Sequence, residues 1–353
     1  MTQLNRYIAR TVSSSVFAVL VVIVSLDVIA GLIDQLSDMR GDYDFKEVFV
    51  FVGLSIPSTV YEYLPLSALV GCLIGLGVLA SSSELVVMRA SGVSVGRIIW
   101  AVARPVFVFI FFGSLVGEFL APYSDQYADS RRALARGHKV ALQSERGKWH
   151  REGNEFMHFN AILPNGKLYG ITRFRFDSEG ALVESSFVDS AIYQGGHWVE
   201  QDGQVSTFVD GGIEESTFNI RHWDNQITPS LLSDLLLGFD DLPMRRLHAY
   251  ANYLNSQNLD ADKYRLAFWQ KALQPLATLS LMMIAISFVL GPLRQVTMGF
   301  RVFSGVIVGL VFQTSQKMLG PSSLIWGFPP LLAVLIPIIF CLLVGWLLIR
   351  RSE

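Results

Sequence analysis

The sequence predicts a polytopic α-helical membrane protein, interrupted once by a soluble, strand-rich domain. Three observations carry that prediction. The chain has 353 residues, 51% of them hydrophobic and only 16% charged, against about a quarter charged in a typical soluble domain. Its mean hydropathy is +0.41. The average hides a split: residues 1–122 and 263–353 are largely apolar, whereas 123–262 read as an ordinary soluble protein. A net charge of −2 leaves no basic footprint for nucleic acid.

A spanning helix needs about 20 mainly apolar residues. Such runs lie at 12–33, within 48–80, and at 98–121, 267–291, 300–319 and 328–349. The first follows Arg6 and Arg10, but it is too long for a signal-peptide core and ends in no clean cleavage site, so it reads as a span. The second contains Pro57, Glu62 and Pro65. That predicts a helix broken or kinked near the prolines, followed by a span over roughly 60–81. Arginine in short flanks sets orientation. Arg6 and Arg10, Arg89 and Arg97, Arg294 and Arg301, and Arg350 and Arg351 fall on one side. On the other, Arg40 and Lys46 are outweighed by Asp34, Asp38, Asp42, Asp44 and Glu47. Six spans are expected, with both termini cytoplasmic and the inserted domain outside the membrane.

Within 123–262, short runs rich in β-branched and aromatic residues recur: Glu155–Phe159, Leu168–Phe176, Leu182–Val188, Ala191–Tyr193, Trp198–Glu200, Gln204–Val209 and Ser216–Arg221. Turn signals such as Pro164-Asn165-Gly166, Asp177–Gly180, Gly195-Gly196, Asp202-Gly203 and Asp210–Gly212 separate them. This pattern predicts an antiparallel sandwich or open barrel. Pro229–Asp241 and Met244–Ser256 read as helices leading back to the membrane.

Catalytic constellations are absent from the sequence. Gly92-Val93-Ser94-Val95-Gly96 has the spacing of a hydrolase nucleophile elbow, but that motif needs a strand–turn–helix and a nearby histidine. It falls in a short loop, and all 6 histidines lie in the inserted domain, so a helix start is the better reading. The histidines match no metal spacing, and Cys72 and Cys341 sit in apolar runs. Gly147-Lys148 and Gly166-Lys167 lack the Ser or Thr of a phosphate loop. If ATP is used, it is bound by another chain.

The loop between the second and third spans, about 82–95, carries Ser83-Glu84-Leu85-Val86-Val87-Met88-Arg89-Ala90-Ser91-Gly92. It predicts a short amphipathic helix stopped at Gly92. Two readings stand: a surface helix packed on the membrane, or a coupling helix docking on a cytoplasmic motor, with Glu84 and Arg89 as polar anchors. Gly-x-x-x-Gly recurs at Gly71/Gly75, Gly113/Gly117 and Gly305/Gly309, a spacing that lets helices approach closely. Asp27, Glu62, Glu118 and Lys317 are polar groups inside or at the ends of spans. After the third span Arg131, Arg132, Arg136, Lys139, Arg146, Lys148 and Arg151 cluster. They either hold anionic headgroups or phosphates, or solubilise a linker.

Ser83–Gly92, Gly291-Pro292-Leu293-Arg294 with Met298–Val302, and Ile33-Asp34-Gln35-Leu36 together resemble the lipopolysaccharide export permeases, the LptF/LptG family, and its LptG branch more closely. The layout of three spans, β-domain and three spans agrees over the whole chain. The resemblance implies a jellyroll-like periplasmic domain and the permease half of an ABC-type extractor in the bacterial inner membrane. It implies an LptF paralogue as heterodimer partner, an LptB ATPase dimer beneath, and LptC beside the first span. Lipopolysaccharide would be the cargo, with no cofactor in this chain because ATP and magnesium belong to the partner ATPase. By the same resemblance Glu84 matches the acid that contacts the ATPase, Gly305 and Gly309 fall on the heterodimer interface, and Arg132 matches a lipid-phosphate contact. Arg131, Arg136, Asp27 and Lys317 complete the candidate lipopolysaccharide-binding set. Two positions depart from the pattern: Asp129 stands where a second arginine is expected, and Gly31 where a basic residue is expected. The alternative to a transporter subunit is a membrane-anchored enzyme or sensor built on the inserted domain.

Overall fold

The long apolar runs become helices because a backbone in lipid must satisfy its own hydrogen bonds. The computed structural model describes residues 2–39, 43–135, 148–162, 167–209, 212–223, 242–256, 260–291 and 296–352. The order is α1 (Thr2–Ser37), α2 (Phe45–Ser81), α3 (Glu84–Ala90) and α4 (Val95–Leu115), then a π-helical turn (Val116–Leu120) and α5 (Ala121–Ala135). Strands β1 (Lys148–Glu152), β2 (Glu155–Ile162), β3 (Lys167–Phe176), β4 (Leu182–Gln194), β5 (His197–Val209) and β6 (Gly212–Trp223) follow. The chain then closes with α6 (Met244–Ser256), α7 (Asp262–Leu290), α8 (Met298–Trp326) and α9 (Pro330–Ser352). Among the described residues, 6 helical stretches are long and apolar enough to cross a membrane: α1, α2, α4 with its continuation to Arg132, α7, α8 and α9. This is a multi-pass membrane protein with an inserted β-sheet. The helix expected over Pro229–Asp241 lies outside the described residues.

The chain divides into two compact units. One comprises Met1–Ala30, Ile56–Pro122 and Pro243–Glu353, the other Gly31–Ser55 and Tyr123–Leu242. In the first unit α2 is the hub. A Cβ added to Gly71 would lie 2.4 Å from the Val16 Cα of α1, and one on Gly75 would lie 3.0 Å from the Val12 Cα. Gly113 and Gly117 leave room for Leu64 and Tyr61 of α2. All of these approaches are close because the facing residue lacks a side chain. Around them Leu69, Leu73, Leu76, Ile98, Val102, Leu281 and Ile338 form one buried cluster.

Of the break or kink expected near Pro57 and Pro65, the break does not occur; α2 runs continuously through both. Pro65 has no N–H and leaves the Tyr61 carbonyl without its helical donor. Gln274 of α7 supplies a donor, its Nε2 lying 2.8 Å from that oxygen. A side chain on a neighbouring helix thus repairs the backbone where a break would otherwise be favoured.

The strands form one antiparallel sheet in chain order, β1-β2-β3-β4-β5-β6. The separate runs Leu182–Val188 and Ala191–Tyr193 are both part of β4, and Trp198–Glu200 and Gln204–Val209 are both part of β5. The alternation slips within each strand without ending it. In β3 Leu168 is buried, then Ile171 and Arg173; in β5 Trp198 and Glu200 are buried, then Gly203 and Val205. Gly170 (φ 60°) and Asp202 (φ 54°) take the left-handed conformation at these slips. That conformation changes which face the next residue meets while keeping the pairing, as at a bulge. Gly203 is not a turn residue; its missing side chain admits the Phe218 ring.

The buried side of the sheet holds Met157, Phe159, Ile171, Val188, Trp198 and Trp223. It also holds charge. Glu200 is fully buried between Arg173, at 2.9 Å, and Arg221, at 2.7 Å. Burial pushes its carboxyl above the ordinary range, against the pull of Arg173. The Arg173 guanidinium lies over the Trp223 ring at 4.6 Å.

Candidate functional site: a short amphipathic helix and an arginine pair

Helix α3 is positioned at both ends by the backbone. Ser83 precedes it in the left-handed conformation (φ 61°). Gly92 follows it at φ 88°, where an L side chain would be strained. The Gly92 N–H donates to the Arg89 carbonyl at 3.0 Å and the Val93 N–H to the Met88 carbonyl at 3.1 Å, closing the helix as a Schellman motif. The stop read at Gly92 is therefore present, and Ser94 sits at the N-cap of α4. Leu85 and Met88 are buried and fix one face of α3. On the other, Val86 and Val87 are exposed, Val87 at 65%. Glu84 accepts hydrogen bonds from Ser82 Oγ at 3.0 Å and Tyr7 Oη at 3.4 Å. These bonds hold the carboxylate in place at the start of the helix. The outcome is a firmly seated helix that presents two valines, flanked in sequence by Glu84 and Arg89.

The arginines after the third span are not bare cations. Arg131 makes a two-pronged bond to Glu47, its Nε at 2.9 Å from Oε2. Arg132 is buried; its Nη2 lies 2.8 Å from Asp38 Oδ2 and its guanidinium 4.9 Å from the centre of the Phe51 ring. Arg136, with Lys139, Glu145 and Arg146, lies outside the described residues. Two forks holding carboxylates have the shape and charge to hold phosphate in their place.

The other candidates sit apart from these. Asp27 accepts from Tyr63 Oη at 3.0 Å and Thr59 Oγ1 at 3.2 Å, which ties α1 to α2. Lys317 pairs with Glu62 at 3.4 Å, both side chains more than half exposed. Gly305 and Gly309 lie on a helix–helix contact within this chain: a Cβ on either would lie 2.2 Å from Leu73 or Leu66 of α2. They serve packing within this chain, because α2 supplies large side chains at the matching heights.

Two residues read from the sequence only as a polar group at a span end and as a topology arginine make specific bonds. The Glu118 carboxylate, on the π-helical turn, accepts the Met244 N–H at 2.7 Å and so caps the start of α6. Arg301 is 3% exposed and donates from Nη1 to the Gly77 carbonyl at 3.0 Å. Its four-residue spacing from Gly305, with Gly309 four further on, was the available signal that it shares their ridge.

Comparison with known proteins agrees over the full length. The family described as lipopolysaccharide export system permease LptF/LptG matches residues 6–351. The lipopolysaccharide export system permease protein LptG of Escherichia coli (strain K12) is 34% identical over 99% of this chain and 98% of that protein. The LptG of Haemophilus influenzae (strain ATCC 51907 / DSM 11121 / KW20 / Rd) is 31% identical over 99% of each. With six apolar helices, an inserted antiparallel sheet and this end-to-end match, the chain belongs to the LptF/LptG permease family of the lipopolysaccharide export system.

Proposed function

We propose that this chain is the permease subunit of an ATP-driven lipopolysaccharide extractor. It lies in the bacterial inner membrane with both termini cytoplasmic and the sheet periplasmic. Lipopolysaccharide is drawn from the outer leaflet and passed to a periplasmic bridge. The energy comes from ATP and magnesium held by a partner ATPase of the LptB kind. The observation that carries this reading is α3: a seated helix whose exposed Val86 and Val87 have no buried role in this chain. The arginines on the same side of the membrane support a cytoplasmic position for it.

The remaining partners follow from exposed apolar faces. In the most apolar stretch of α1 only 11% of residues are buried, and in that of α8 22%, against 67% in α2. An LptF-type paralogue would cover part of α1 and α8, and an LptC-type helix would lie beside α1. Arg131 and Arg132 would hold lipopolysaccharide phosphates, released for that task by Glu47 and Asp38.

Two experiments test this. Val87→Asp, in which no buried contact is lost, should abolish co-purification of the ATPase while the chain still accumulates in the membrane. Glu84→Ala should weaken it. Retention of the ATPase by Val87→Asp would remove α3 from the mechanism. For the arginines, Asp38→Ala should raise photo-crosslinking to lipopolysaccharide and Arg132→Ala should lower it. Equal yields from both variants would leave the Arg132–Asp38 pair a structural one.

A further inference from the structure

The seam between α2 and α8 has two kinds of contact. Gly305 and Gly309 receive the tips of Leu73 and Leu66. Such contacts are non-directional and tolerate small slides. One ridge position away, Arg301 donates to the Gly77 carbonyl at 3.0 Å. A charged donor on a carbonyl, buried in low dielectric, is directional and strong. The site is shaped for it. A Cβ on Gly77 would lie 2.9 Å from Met298 Sδ and 3.3 Å from Arg301 Nη1. Gly77 thus leaves the space that brings the first turn of α8 onto α2.

The place of this bond matters as much as its strength. Gly77 lies in the last turns of α2, which ends at Ser81, and α3 begins at Glu84. Arg301 lies in the first turn of α8, whose outward side carries Phe300, Phe303, Ile307 and Leu310. A displacement of α3 reaches the end of α2 within a few residues, and from there α8 through Arg301.

We infer that Arg301 is the positioning residue through which movement of α3 is passed to α8. The inference rests on the proposal that α3 docks an ATPase. Without the bond, ATP would still be hydrolysed but α8 would follow poorly. Further along, the exposed Glu62–Lys317 pair offers a weaker tie between the same helices.

The test uses the assembled export complex in proteoliposomes and reads lipopolysaccharide moved per ATP hydrolysed. Arg301→Gln and Gly77→Ala should each lower that ratio roughly tenfold while ATP hydrolysis persists. Arg301→Lys, which keeps a charged donor, should recover part of it. Gly77→Ala keeps Arg301 itself, so it covers the case in which Arg301→Gln fails to assemble. Wild-type export with an unchanged ratio in Arg301→Gln and Gly77→Ala, or hydrolysis and export falling in parallel, would overturn the inference alone. A wild-type complex that moves no lipopolysaccharide on ATP would overturn the functional reading and this inference with it.

Discussion

Helices α2 and α1 are both apolar enough to span a membrane, yet the structure uses them in opposite ways. Most residues in the apolar stretch of α2 are buried, and very few in that of α1. The hub receives α1, α4, α7 and α8 through missing side chains or a repaired carbonyl. On α1, Phe17, Val22, Leu26 and Ile29 remain exposed. The difference shows that hydropathy identifies a span but not its neighbour. Lipid tails are as apolar as leucine, so an exposed face of this kind suits lipid and partner helix alike. What separates hub from outer helix is the placement of small residues.

Filling the gaps left by these glycines tests the difference between hub and outer helix. Gly71→Ala should have the largest effect on stability, about 1–3 kcal/mol, because the added carbon meets α1 backbone that cannot rotate away. Gly305→Ala should cost less, since it meets only the tip of Leu73, which can change rotamer. Thermal unfolding of the purified chain in detergent checks the order; a larger loss at Gly305 would contradict the hub description. Phe17→Ala, on the exposed side of α1, should leave that stability unchanged to within about 0.5 kcal/mol. Any cost should instead appear as weaker retention of a partner permease.

Much of this fold is legible in the sequence where its causes are local. The spans follow from run length, and the end of α3 follows from Gly92. What escapes is set by residues distant in sequence. Nothing near Pro65 announces that Gln274, 213 positions from the Tyr61 carbonyl it bonds, will repair the helix. Arg131 and Arg132 read as free cations because Glu47 and Asp38 lie 84 and 94 positions earlier. In the sheet, β4 and β5 read as two strands each because their alternation slips. The compensating left-handed turn at Asp202 costs little in sequence signal, since Asp tolerates that conformation. β1 escapes because Lys148–Glu152 is almost wholly polar and merges with the basic run before it.

Under the proposed function, the exposed faces of α1 and α8 belong to an assembly that carries lipopolysaccharide. The direct measurement places a photoreactive residue at Phe17 on α1 and at Phe303 on α8, in cells, with and without a working ATPase. The expected result is covalent products with a paralogous permease and with lipopolysaccharide, the lipid product changing in yield when ATP hydrolysis is blocked. Products with phospholipid alone, the same in both conditions, would contradict it.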